Sequence, residues 1–163
     1  MAVDYDGLVA LGFSVEDDLY REIILDHFRS PRHKTAVDPA DAVVEANNPL
    51  CGDEIDLSLR ISDGAIDAIG FQGRGCSISQ ASASMLCEAV SGMQPHAATA
   101  LAERFRGMLT GDGGGDGLGD LEALRGVRAY PVRVKCATLA WNALLEGIRM
   151  ATNGANEKET NDG

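Results

Sequence analysis

The sequence is short of positive charge and contains no long apolar run. Fourteen Lys and Arg stand against 25 Asp and Glu, a formal net charge of −11, so a phosphate backbone or an anionic membrane surface would repel the chain unless a local basic patch intervened. Neither nucleic acid nor a membrane is therefore an expected partner, and no stretch reaches the roughly 20 apolar residues that a spanning helix needs. The opening residues "MAVDYDGLVALGF" carry acids where a signal peptide would carry basic residues, which makes the cytoplasm the expected location. There is no CxxC pair, no internal repeat and no recognisable Ser-His-Asp arrangement. The glycines of "GRGCSISQAS" lack the lysine of a phosphate-binding loop. His27, His33 and His96 follow no metal-ligand spacing, and core packing or solvent accounts for each.

What remains is enough for one domain of ordinary size with a hydrophobic core, given 163 residues. "SVEDDLYREIILDHFR" (14–29) opens on Ser14 and Asp17 in capping spacing and places Leu19, Ile23, Ile24 and Phe28 at helical intervals before Pro31. Ile55, Leu57, Leu59 and Ile61 alternate with polar residues, "SDG" turns the chain, and "AIDAIGFQ" follows. This predicts a β-hairpin, with a third strand at 41–47. Helices are predicted over 77–92, 96–109 and 136–151. Strands in one block followed by helices in another imply an α+β domain, a small antiparallel three-stranded sheet with helices on one face. The domain spans residues 1–151. It carries a Gly-rich insertion at about 107–130, read as a flexible loop with a short turn near 120–125 rather than a calcium-binding repeat. The tail, 152–163, lacks large apolar residues and is expected to be disordered.

Four cysteines, at 51, 76, 87 and 136, in a chain expected in a reducing compartment, point to metal or thiol chemistry rather than disulfides. Cys51 and Asp53 leave an extended chain on the same side, roughly 6.6 Å apart by strand rise, and Gly52 lets the backbone bend them together. Taken alone, the pair fits two metal ligands as well as it fits a buried cysteine beside a surface aspartate. Cys76 follows "GRG" at a helix start, where free N–H groups favour a thiolate. Cys136 is read the same way, behind Arg133 and Lys135. Cys87 lies in the same predicted helix as Cys76 and roughly 16 Å further along its axis, which makes it a core residue. A set of Cys51, Asp53, Cys76 and Cys136 suits zinc, but the spacing alone does not establish it.

"LYREIILDHFRSPRHK", "NPLCGDEIDL", "FQGRGCSISQASASML" and "PVRVKCATLAWNAL", in that order over about residues 16–150, resemble the IscU/SufU iron–sulfur cluster assembly family, and within it the SufU-type zinc-dependent sulfurtransferases. The resemblance implies metal ligation by Cys51, Asp53, Cys76 and Cys136. It also implies sulfur transfer from a pyridoxal-phosphate-dependent cysteine desulfurase of the SufS type, and passage of sulfur on to downstream iron–sulfur assembly proteins. Cys51, set in a turn that a partner can reach, is the expected sulfur acceptor. The resemblance further implies that a desulfurase histidine replaces Cys51 on zinc while Arg133 helps to dock the partner. Lys135 where scaffolds usually carry histidine, the insertion, and the missing proline-rich chaperone motif favour the sulfurtransferase branch. The alternative is a scaffold on which a [2Fe–2S] cluster is assembled and transferred by the same four side chains.

Overall fold

A computed structural model describes residues 15–111 and 117–161. Ser14 and the N-terminal residues read above lie outside the described residues, as do 112–116 of the Gly-rich insertion and the last two residues of the tail. Three strands, β1 (Ala42–Asn48), β2 (Asp53–Ser62) and β3 (Ala65–Arg74), form one antiparallel sheet in the order β1-β2-β3. The alternation in the sequence becomes an alternation of burial in β2: Ile55, Leu57 and Leu59 are inside, while Glu54 and Asp56 face out. Asp63 and Gly64 join β2 to β3 with φ of 54° and 78°, the two positive values of a hairpin turn whose twist matches its strands. β1 pairs with β2 from Ala42↔Leu59 to Asn48↔Asp53. The loop that closes this second hairpin, residues 49–52, therefore carries Cys51.

The described residues include four α-helices, α1 (Val15–Arg29), α2 (Ser77–Val90), α3 (Pro95–Thr110) and α4 (Pro131–Asn161), of which α2 and α4 pack on the sheet while α1 packs on α2 and α3 on α4. The fold is thus the expected α+β arrangement. α2 runs through the middle, and every residue from Ser79 to Cys87 is buried. Its Ser and Ala side chains let neighbouring elements approach closely, and its buried hydroxyls are satisfied rather than stranded. Ser82 Oγ accepts from Trp141 Nε1 at 3.0 Å and donates to the Ala137 carbonyl at 2.6 Å. Trp141 stacks on Phe105 with ring centroids 4.6 Å apart, which ties α4 to α3 in the core.

Three boundaries differ from the sequence reading. α4 starts at Pro131, not at 136, because proline's fixed φ and missing N–H suit the first turn of a helix. Cys136 consequently sits more than a turn inside the helix. At its other end α4 continues to Asn161, into the stretch whose composition points to disorder. That stretch has no proline, and a helix draws its main-chain hydrogen bonds from within itself. Third, residues Gly119–Ala129 form a 3-10 helix rather than a short turn. Its capping residue Leu118 and its buried residues Leu121, Leu124 and Val127 recur at every third position, the period of a 3-10 helix. Among the described residues no helix is long and apolar enough to cross a membrane.

Candidate metal centre

Asp53 opens β2 and is 0% exposed, a burial that a carboxylate tolerates only with partners. Its Oδ1 accepts the Cys76 backbone N–H at 2.9 Å, and its Oδ2 lies 3.9 Å from the Cys76 sulfur. Such proximity requires glycine at 75. A Cβ there would land on Asp53 Oδ1 and come within 2.6 Å of Ser79 Oγ. Cys76 is the N-cap of α2, and its sulfur accepts the Ser79 N–H at 3.5 Å, as the reading of a helix-start cysteine requires.

Cys51 reaches the same place from the β1–β2 loop. Gly52 turns the chain with φ +70°, and the Cys51 N–H donates to the Asn48 carbonyl at 3.2 Å. The half-buried Cys51 sulfur stands 3.0 Å from that of Cys136, which projects from α4 and is 0% exposed. The ligand atoms of Cys51, Asp53 and Cys136 lie within 4.8 Å of one another. Cys76 adjoins this trio through Asp53 without belonging to it. Of the four residues proposed as ligands from sequence, the fold thus draws three into one cluster and places the fourth at its margin.

Electrostatics show what such a cluster needs. Burial pushes the Cys136 thiol up from its ordinary range, and hydrogen bonds with Cys51 and Asp53 and the Cys76 charge push it further. These donors are therefore hard to ionise together without a cation. Arg133, exposed at the start of α4, supplies part of one. The charge on Cys76, a hydrogen bond with Cys76 and the charge on Cys136 hold its own pKa above the usual value. A divalent ion would supply the rest, since metal coordination keeps thiols deprotonated. Three sulfurs and one carboxylate oxygen fit zinc, and they also fit the ligation of an iron–sulfur cluster, which is dominated by thiolate.

Cys87 is 0% exposed within the core cluster, and burial alone raises its thiol pKa. It takes no part in the trio. His27 is buried with its Nδ1 2.8 Å from Ser84 Oγ, whereas His33 and His96 face solvent. Two residues at the site were not singled out from the sequence, Asn48 and Gly75. For Asn48 the available signal is "NNPLCG", an Asx-type turn immediately before the cysteine. For Gly75 it is the glycine directly ahead of a helix cap.

The family described as "NifU-like N terminal domain" matches residues 19–156. The chain is 42% identical over 140 residues to the zinc-dependent sulfurtransferase SufU of Bacillus subtilis, covering 85% of this chain and 95% of that one. It is 40% identical over 153 residues to the iron–sulfur cluster assembly scaffold protein IscU of Streptococcus pyogenes, covering 93% and 96%. Among solved structures, a putative iron–sulfur cluster assembly scaffold protein for the SUF system from Fervidobacterium islandicum superimposes with a TM-score of 0.75 at 30% identity, covering 78% of this chain and 94% of that one.

Proposed function

From the premise that the chain belongs to the NifU-like N-terminal domain family of iron–sulfur cluster assembly proteins, we propose that it is a zinc-dependent sulfur acceptor for a cysteine desulfurase in the cytoplasm. The observation that carries this reading is the unequal placing of the clustered donors. Cys136 and Asp53 are buried on a helix and a strand, while Cys51 is half-buried on a hairpin loop. A loop thiol can leave the cluster for a partner's active site while the other donors stay.

Zinc held by Cys51, Asp53, Cys76 and Cys136 would keep the thiols ionised. The chain's own residues do the rest. The Cys51 thiolate attacks the outer sulfur of the desulfurase persulfide. That S–S bond breaks with its electron pair going to the desulfurase cysteine, and a new S–S bond forms on Cys51, so no oxidant or reductant is required. Asp53 remains fixed by the Cys76 N–H, and Arg133 offers a cation beside the remaining sulfurs. Its exposure suits it to meeting the desulfurase as well. Downstream iron–sulfur assembly proteins would take the sulfur from Cys51.

A second reading, a scaffold for a [2Fe–2S] cluster, is favoured by the similarity to relatives named as scaffolds, one of which matches over 93% of this chain. Desulfurase turnover measured with and without this protein, paired with metal analysis of the same sample, separates the two. Stimulated turnover by a colourless preparation with about one zinc per chain supports sulfur acceptance. A brown anaerobic preparation that passes its cluster to an apoprotein, with no stimulation, overturns it.

A further inference from the structure

Asn48 is the last residue of β1, only 7% exposed, and its backbone carbonyl and both ends of its side-chain amide bond to the Cys51 loop or to Cys136. Its backbone carbonyl accepts the Cys51 N–H at 3.2 Å. Its side-chain Oδ1 accepts the Leu50 N–H at 3.2 Å, and its Nδ2 donates to the Cys136 sulfur at 3.9 Å. The oxygen end thus builds an Asx turn that shapes the loop bearing Cys51, while the nitrogen end touches a sulfur 88 residues away in sequence. The bond to sulfur is buried, so its loss leaves the Nδ2 group without water to fall back on, whereas the bond to Leu50 is part-buried.

We propose that Asn48 is the positioning residue of the centre, one side chain that fixes the Cys51 loop and at the same time orients the Cys136 thiolate. The role rests on the sulfur-acceptor reading above, in which Cys51 must leave while Cys136 stays. When the loop swings out, the Nδ2–H bond keeps the Cys136 sulfur aimed at the vacated position and offsets part of its negative charge. When the loop returns, the Oδ1 bond to Leu50 rebuilds the turn that brings Cys51 to within reach of Cys136. Partners of this kind around metal ligands typically matter 10–100-fold in metal affinity.

Three substitutions divide the two ends. Asn48→Ser keeps a short acceptor for the Leu50 N–H and loses the reach to sulfur. Asn48→Asp keeps the acceptor and sets a carboxylate oxygen against Cys136. Asn48→Ala loses both bonds. Each variant is first checked for native circular dichroism. In metal-free protein, amide hydrogen exchange at Leu50 should speed up at least tenfold in Asn48→Ala and stay close to wild type in Asn48→Asp. In zinc-loaded protein, competition with a chromogenic chelator should show about tenfold or greater loss of zinc affinity in Asn48→Ser, which loses the sulfur contact without adding charge. Cobalt-substituted Asn48→Ser should shift its sulfur-to-cobalt absorption relative to wild type. Wild-type exchange at Leu50 in Asn48→Ala, or wild-type zinc affinity in Asn48→Ser, overturns the proposal. Failure of the wild-type protein to bind zinc or cobalt at all would instead overturn the sulfur-acceptor reading. The exchange result in metal-free protein would still decide the loop half of the role.

Discussion

Cys51 and Asp53 are two residues apart, yet one sits on a loop and the other is sealed in a strand, and substitutions should expose that difference. Cys51→Ala leaves Asp53, Cys76 and Cys136, a three-ligand set of the kind that binds zinc with one open position. It should retain about one zinc by metal analysis and lose sulfur acceptance, read as absence of persulfide by mass spectrometry after mixing with desulfurase and free cysteine. Asp53→Ala should lose both zinc and acceptance. It also leaves the part-buried Cys76 N–H without its acceptor, a loss of about 1 kcal/mol, visible as a lower urea midpoint. Persulfide on a fully active Cys51→Ala protein would refute Cys51 as acceptor.

His27 gives a prediction in pH. Burial, and then the neighbouring Arg32 charge, lower its pKa from the ordinary value of 6.5, against opposing effects from Glu88, Asp120 and Asp26. Below the ordinary value the unfolded chain takes up a proton that the folded chain refuses. His27 therefore favours the unfolded state increasingly as pH falls through 6.5, and stability declines in that direction. Urea midpoints measured from pH 8 downward should fall less steeply in His27→Gln than in wild type, and parallel profiles would refute this.

At the scale of elements, glycine placement governs how α2 meets β2. Gly75→Ala forces a Cβ onto Asp53 Oδ1 and against Ser79 Oγ, so α2 must back away from the strand. Overpacking of this kind costs about 1–3 kcal/mol. Thermal denaturation should show the loss, and zinc affinity should fall with it because Asp53 and Cys76 are displaced together. The sheet was legible in the sequence because Ile55, Leu57 and Leu59 mark one face at every second residue and "DG" marks the turn. α4 was legible in type but not in its start: "PVRVK" alternates β-branched with basic residues, a pattern suited to extended chain, and Pro131 was the overlooked opening signal. The 3-10 helix was missed because Leu118, Leu121, Leu124 and Val127 follow a period of three, between the periods of strand and α-helix. Within the centre, the side-chain types were visible, whereas the contact of Asn48 with Cys136 joins β1 to α4 and has no local trace.

For the whole molecule, the centre joins the β1–β2 loop, the start of β2, the cap of α2 and the interior of α4. A zinc ion bound there, as proposed, would tie together elements that the core already packs. Removing it leaves sulfurs 3.0 Å apart that must stay protonated or repel, so verified stripping of zinc should lower the melting temperature markedly. By contrast, Cys87→Ser lies wholly in the core, and its zinc content should match wild type despite some loss of stability from placing a hydroxyl in an apolar site.

The separation of these four elements along the chain also sets an order of events during synthesis. The ribosome releases β1, β2 and α2, with Cys51, Asp53 and Cys76, well before Cys136 on α4. Until α4 docks, Asn48 has no sulfur to bind and Cys51 lacks its contact with Cys136. Since docking α4 also seats Trp141 between Phe105 and Ser82, the step that finishes the core is the step that completes the centre. If the centre binds zinc as proposed, tight binding would thereby be reserved for finished chains, and a nascent or misfolded copy would hold the ion more weakly.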